Sequence, residues 1–119
     1  MDTSTPAPAS PRSRPFPDIP DARSPAGTEI RYLMERATAN GVHSTVPSGR
    51  VDRATIHATV SEFWRAFSGP GENRRRDERG EEVAVLEPAV SIDIPVGTAF
   101  QYRCTGVELL RFLCLAMPP

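Results

Sequence analysis

The feature that most limits the fold of this chain is a two-residue alternation of apolar and polar side chains that starts near Glu29 and recurs up to Met117. In the segment 90–94, for example, apolar residues at 90, 92 and 94 flank Ser91 and Asp93. A period of two is typical of β-strands that bury one face. Turn signals rich in Gly and Pro separate the alternating segments: 47–49, 69–71, 77–80 and 95–97. The pattern predicts an all-β sandwich or barrel with little helix.

We count roughly eight strands among nine candidate segments. The candidate segments are 29–34, 42–46, 54–60, 62–67, 72–76, 81–86, 90–94, 99–103 and 107–117. The last is apolar on both faces except at Glu108 and Arg111, so we expect a central or covered strand. The run Arg74-Arg75-Arg76 faces Glu81-Glu82 across the turn 77–80, which favours a solvated hairpin over a phosphate site.

Residues 1–28 differ in composition from the rest, because seven of the 13 prolines lie there. Such a segment buries too little apolar surface to offset its ordering entropy. We expect 1–28 to be a disordered or extended Pro-rich arm and 29–119 to form one barrel. Phe16 and Ile19 are candidate anchors, and an arm that adds a strand to a neighbour favours a homodimer.

Composition excludes several functions. A net charge of −1 gives no reason to expect nucleic acid or an anionic membrane as partner. All 14 basic residues are arginine, so Schiff-base lysine chemistry is excluded. The N-terminus lacks a secretory pattern and no apolar run reaches about 20 residues, which predicts a cytoplasmic protein with Cys104 and Cys114 reduced.

Thr55-Ile56-His57, Glu62 and Gly69 form one spaced motif, and Pro95, Gly97 and Phe100 form a second. Both motifs resemble those of the cupin superfamily. The first cupin motif has His, any residue, His, then Glu four or five residues later and Gly after a further seven. This chain has Thr55-Ile56-His57, Glu62 and Gly69 in that frame. The second motif has Pro-x-Gly followed by His three residues later, and here Pro95 and Gly97 are followed by Phe100.

The stretch 94–119 is similar to small bacterial single-domain cupins. The resemblance implies an all-β fold, a cupin-like jelly-roll barrel with a Pro-rich N-terminal arm. It leaves function open, since cupins include dioxygenases, isomerases, lyases, cyclases and simple binders.

The resemblance also implies a metal held by three His and one Glu, of which only His57 and Glu62 remain. Two protein ligands are too few for a tight catalytic site. We therefore predict no cofactor. The alternative is a weakly bound divalent metal on His57, Glu62 and His43, in a degenerate dioxygenase-like site.

Our preferred hypothesis is a metal-independent acid/base enzyme with His57 and Glu62 as its catalytic pair. A cyclase, isomerase or lyase acting on a small hydrophobic metabolite such as a polyketide suits an apolar, aromatic-walled pocket. The alternative is a non-catalytic cupin that binds a ligand or serves as a structural dimer. The candidate substrate-binding residues are Trp64, Phe100, Tyr102, Thr55 and His43.

Overall fold

The computed structural model describes residues 10–118, and none of them is helical. The strands are β1 Ala22–Arg23, β2 Glu29–Glu35, β3 Asn40–Val46, β4 Thr55–Ile56, β5 Ser61–Ser68, β6 Gly71–Asp77, β7 Gly80–Leu86, β8 Ser91–Ile94, β9 Ala99–Cys104 and β10 Leu110–Met117. Both the predicted all-β class and the predicted turns between strands are confirmed.

The strands form two antiparallel sheets. The first sheet has six strands in the order β1-β2-β3-β10-β5-β8, and the second has four in the order β4-β9-β6-β7. β10 lies between β3 and β5, which confirms that the most apolar segment forms a central strand. Successive strands in the chain often belong to different sheets, so the chain winds around a single interior.

That interior contains the inward residues of both sheets. Ten apolar side chains are buried there: Val46, Trp64, Ala66, Leu86, Ile94, Phe100, Cys104, Leu110, Phe112 and Cys114. The indole of Trp64 and the ring of Phe112 stack across β5 and β10, with centroids 4.0 Å apart and an interplanar angle of 8°. Complete burial of one such side chain contributes about 1.5–3 kcal/mol, so this cluster supplies much of the folding free energy.

Gly71, the first residue of β6, allows the two sheets to meet closely. A Cβ atom there would lie 2.5 Å from Leu110 Cδ2 and 2.7 Å from the carbonyl oxygen of Arg103. Only glycine fits at such a distance without displacing the backbone of β9 or the core side chain above it.

Two predicted strands are shorter than expected. The segment 54–60 pairs only at Thr55–Ile56, because the chain then crosses from the second sheet to β5 of the first. The segment 107–117 pairs only from Leu110 onward, for the same reason: residues 105–109 carry the chain from β9 to the other sheet.

The predicted hairpin around residues 77–80 is confirmed. β6 pairs with β7, Arg75 lies opposite Glu82 and Arg76 opposite Glu81. The guanidinium of Arg75 lies 3.4 Å from the carboxylate of Glu82, and that of Arg74 lies 3.7 Å from Glu81, so two of the three arginines pair with these acids. Gly80 has a φ of 135°, a conformation that glycine allows at the end of this turn.

The described part of the N-terminal segment runs along the first sheet. β1 pairs with β2, and Arg31 of β2 donates to the carbonyl oxygens of Pro17 and Asp18. The prediction for residues 1–9 lies outside the described residues, and the boundary at residue 28 stays a prediction. No helix long and apolar enough to cross a membrane occurs in the described range.

Candidate functional site

His57 and Glu62 lie side by side at one end of the interior. Glu62 is an inward residue near the start of β5, and His57 lies in the loop between β4 and β5. The imidazole Nε2 is 3.1 Å from Glu62 Oε2, with 35% of the histidine side chain and 11% of the glutamate side chain exposed. The pair therefore places an imidazole where both solvent and the interior can reach it.

The other carboxylate oxygen of Glu62 accepts a hydrogen bond. Trp64 Nε1 donates to Glu62 Oε1 at 2.9 Å. Residues two apart on a strand share one face, so the sequence correctly predicts that Trp64 and Glu62 point the same way. The indole and the imidazole together hold the carboxylate in one orientation.

The orientation of His57 is set by its backbone and by one ring. Its carbonyl oxygen accepts the backbone N–H of Gly97 at 2.9 Å, which ties the loop to the turn before β9. Its ring lies 5.5 Å from that of Phe100 at 47°. Because Nε2 faces the carboxylate, the neutral ring carries its N–H there and its lone pair on Nδ1. No described residue hydrogen-bonds to Nδ1.

The four aromatic residues below this pair pack against one another. Trp64 makes edge contacts with Phe100 at 5.8 Å and with Tyr102 at 5.2 Å, and Tyr102 contacts Phe112 at 5.6 Å. The predicted shared face of Phe100 and Tyr102 is observed. The rings fill the interior, and His57 and Glu62 line none of the larger concavities among the described residues.

Asp52 is a buried polar residue that sequence reasoning missed. Its Oδ2 accepts hydrogen bonds from the hydroxyls of Ser24, Thr28 and Tyr102. Burial opposes its ionisation, but these hydrogen bonds and one from the Arg53 N–H outweigh it, and the pKa of Asp52 is lowered. Asp52 therefore joins the N-terminal segment to the interior. No local sequence pattern predicts this role, because the partners of Asp52 are distant in sequence.

Two other titratable groups face the same interior. Burial raises the pKa of Tyr102, and the negative charge of Asp52 raises it further, so the phenol stays protonated. Burial also raises the pKa of Cys114, and the charge of Glu62 adds to that effect. Cys104 and Cys114 are both free and buried. This environment favours the neutral thiol at Cys114.

Of the other two predicted site residues, Thr55 lies at the site and His43 does not. Thr55 lies directly opposite Phe100 in the β4–β9 pair, so it shares the inward face of that ring. His43 does not join the site. It is paired with Leu113 on β10, while its neighbour Val42 pairs with the buried Cys114, so the His43 ring points to the outer face of the first sheet.

This position corrects the prediction of a metal site on His57, Glu62 and His43, because His43 is separated from the pair by the sheet itself. The remaining donors do not fit a metal. Of the predicted ligands, only His57 and Glu62 are left as donors at this end of the interior, and Phe100 occupies a position that offers no donor atom. No group of three or more His, Cys, Asp and Glu side chains suited to a metal occurs among residues 10–118.

Several solved structures have the same architecture. A conserved double-stranded β-helix protein of Klebsiella pneumoniae is 17% identical over 90% of this chain and 91% of its own, with a TM-score of 0.73. KdgF from Halomonas sp. is 15% identical over 89% of each chain, with a TM-score of 0.69. The Cnp3 cupin domain of Schizosaccharomyces pombe is 11% identical over 86% of this chain and 68% of its own, with a TM-score of 0.71.

No protein-family model and no curated protein matches the chain. Identities this low show the fold alone, and activities do not follow from them. The two antiparallel sheets, their single aromatic interior and these structural matches agree with the spacing of the two sequence motifs: the chain has the cupin fold.

Proposed function

We propose that this barrel binds a small, largely apolar molecule at its open end and that His57 exchanges a proton with it. The observation that carries the proposal is the 3.1 Å contact between His57 and Glu62, with about a third of the imidazole accessible (35%) and the carboxylate almost buried (11%). The ring of Phe100 lies 5.5 Å from the imidazole, so a ligand bound there would lie near an apolar side chain, which favours an apolar body.

The roles of the two residues differ. Nδ1 of His57 accepts a proton from an acidic C–H of the bound molecule and returns it at a second carbon or at an oxygen. Glu62 keeps Nε2–H bonded throughout and stabilises the imidazolium that forms in between. Positioned general acid/base catalysis contributes about 10²–10⁴-fold to a rate, which suits an isomerisation, elimination or cyclisation of the kind polyketides undergo.

Solvent deuterium exchange tests this proposal without knowledge of the product. The protein is incubated in D₂O with a panel of aryl ketones and β-diketones, and loss of the α-proton signal is followed by NMR. We expect exchange of at least one compound above the buffer rate, and a fall of about 100-fold or more in His57→Gln.

The chain offers a matched control, since His43 is its other histidine and lies on the opposite face of the sheet. His43→Gln should exchange at the wild-type rate. An enzyme role is wrong if no compound exchanges at millimolar concentration, or if His57→Gln is as active as the wild type.

A second candidate is a non-catalytic ligand-binding barrel. The close packing of Trp64, Phe100, Tyr102 and Phe112 favours it, because these rings leave little free volume beneath His57. In this case a compound of the same panel raises the midpoint of thermal unfolding but shows no deuterium exchange. The His57–Glu62 pair would then have a structural role only. His57→Gln would lower the free energy of unfolding and would change no exchange rate.

A further inference from the structure

Asn73 of β6 is a polar side chain that is buried in the interior without a hydrogen-bond partner. It has no exposed surface, and neither Nδ2 nor Oδ1 of its amide has a partner among the described residues. Its neighbours in the register are Tyr102 on β9 and Ala84 on β7, so it lies on an inner strand of the second sheet. An unpaired buried amide is destabilising and uncommon in native proteins, so we expect a partner from outside the chain.

Arg75 supplies a second unpaired donor on the same face of β6, because residues two apart on a strand point the same way. Its Nε is buried and has no partner within the described range. Its terminal nitrogens are held in place: Nη1 donates to the carbonyl oxygen of Asp93 at 2.7 Å, and Nη2 lies 3.4 Å from the carboxylate of Glu82. The guanidinium is therefore fixed, with one N–H left over.

The three unpaired groups match the hydrogen-bonding capacity of a single hydroxyl. A hydroxyl donates one hydrogen bond and accepts two. Asn73 Oδ1 can accept the hydroxyl proton, while Asn73 Nδ2 and Arg75 Nε can both donate to its oxygen. A carboxylate would leave Oδ1 without a donor, and a methyl group would leave all three groups unpaired. The chemistry therefore favours an alcohol or a phenol.

The seam between the two sheets gives a route to this position. β8 and β7 are edge strands of different sheets. In residues 10–118, the hydrogen bond and the ion pair that join β8 to the second sheet both come from Arg75, which contacts Asp93. Arg75 and Asp93 line two concavities, of about 660 Å³ and 360 Å³. The side chain beside Asn73 is thus reached from outside at the seam.

The His57–Glu62 pair lies on the other side of Phe100. Phe100 on β9 is opposite Arg75 on β6 and opposite Thr55 on β4, and His57 follows β4. The ring of Phe100 is 5.5 Å from that of His57. β4 and β6 are two strand spacings apart, about 10 Å. An aryl ketone whose hydroxyl is opposite its carbonyl has a comparable length.

We propose that Asn73 and Arg75 form a hydroxyl-binding subsite, so that the molecule which meets His57 is a ketone with a hydroxyl group at its far end. This inference rests on the proposed function for the role of His57 and adds the class of substrate to it. The aromatic body of the molecule lies against Phe100, and its hydroxyl replaces the partner that the Asn73 amide lacks.

Calorimetric titration of the full chain with two compounds tests the subsite. The compounds are para-hydroxyacetophenone and para-methylacetophenone, which differ only in the group aimed at Asn73. The wild type should bind the hydroxyl compound about 10-fold or more tightly than the methyl compound, because a site that hydrogen-bonds a hydroxyl rejects an analogue without one. Asn73→Leu has the same branching but no polar atom, and its preference should fall to about 2-fold or less.

Two further variants complete the design. Asn73→Ala should lose the preference as Asn73→Leu does, and it adds no volume where the leucine does not fit. Arg74→Met is the matched control, because Arg74 lies between the two residues on β6 and its side chain is 54% exposed on the outer face. It should keep the wild-type preference. Circular dichroism should show the same β content for all variants.

The outcomes separate this proposal from the proton exchange at His57. A wild type that binds neither compound at millimolar concentration, or both equally, overturns the subsite and assigns the Asn73 amide to a buried water. A preference that Asn73→Leu and Asn73→Ala retain also overturns it, even where deuterium exchange depends on His57. A preference that depends on Asn73 without any deuterium exchange supports the subsite and removes only the enzyme role.

Discussion

The indole N–H of Trp64 donates to the carboxylate of Glu62 two residues earlier on β5, at 2.9 Å and away from solvent. This bond connects the acid/base pair to the aromatic core, since the same indole stacks on Phe112. A change in the packing of Trp64 would therefore also change the position of the carboxylate that orients His57. A buried carboxyl group that loses a hydrogen-bond donor costs free energy, so the indole N–H contributes to stability as well as to orientation.

Removal of the indole N–H should destabilise the fold through Glu62. Trp64→Phe leaves Oε1 without a donor, and we expect a loss of about 1–3 kcal/mol beyond the cost of the smaller ring. The free energy of unfolding is measured in urea for the wild type, Trp64→Phe, Glu62→Leu and the double variant. A coupling of about 1 kcal/mol or more is expected, and purely additive effects would show that the bond contributes nothing.

Asp52 should make stability depend on pH in the acid range. Its pKa is lowered in the folded state, so its contribution is fully present above the unfolded value of about 3.9 and is lost as the pH falls through the folded value. Asp52→Asn should be less stable at pH 7 by about 1–3 kcal/mol and should lose less stability between pH 5 and pH 2.

Urea unfolding at several pH values measures both effects. Glu87→Gln is the control, because Glu87 is exposed and lies outside the hydroxyl cluster of Asp52. If Asp52→Asn keeps the acid dependence of the wild type, the hydrogen bonds to Asp52 do not hold its charge.

Two glycines should respond in opposite ways to the same substitution. Gly71→Ala forces a Cβ against Leu110 and the Arg103 carbonyl and should cost about 1–3 kcal/mol. Gly41→Ala meets only Leu115 Cδ2 at 3.6 Å and should be neutral or stabilise by about 0.5–1 kcal/mol through reduced chain entropy. Thermal unfolding measures both effects. Equal melting temperatures for Gly71→Ala and Gly41→Ala would contradict the close approach of the sheets at Gly71.

Two substitutions should create the metal site that the present donors do not form. Thr55 and Phe100 lie opposite each other on the second sheet, and the ring of Phe100 is 5.5 Å from that of His57. Thr55→His combined with Phe100→His supplies three imidazoles and one carboxylate, and we expect one nickel or zinc ion per chain by calorimetry. His57→Gln in this background should weaken binding at least 10-fold, and binding no tighter than that of the wild type would show that the four positions do not converge.

Local sequence patterns correctly predict most of the strands and the positions of Glu62, Trp64 and Phe100. The alternation in β5 correctly places Glu62 and Trp64 on a single face, and the turn at 95–97 correctly precedes Phe100. The same rule, applied to Val42, His43 and Ser44, would have placed His43 outside. The prediction that His43 is a ligand is wrong because His43 and Val42 point to opposite faces of β3 and Val42 faces the core.

The sequence by itself determined the class of fold, because strand period, turn residues and motif spacing are properties of short segments. Tertiary structure alone decided what fills the interior. The hydroxyls that bind Asp52 come from residues 24 and 28 positions before it and from Tyr102, 50 positions after it. Whether four aromatic rings enclose a cavity or pack against one another depends on how closely the sheets approach, and that distance is set by contacts such as Gly71 against Leu110, which no segment contains on its own.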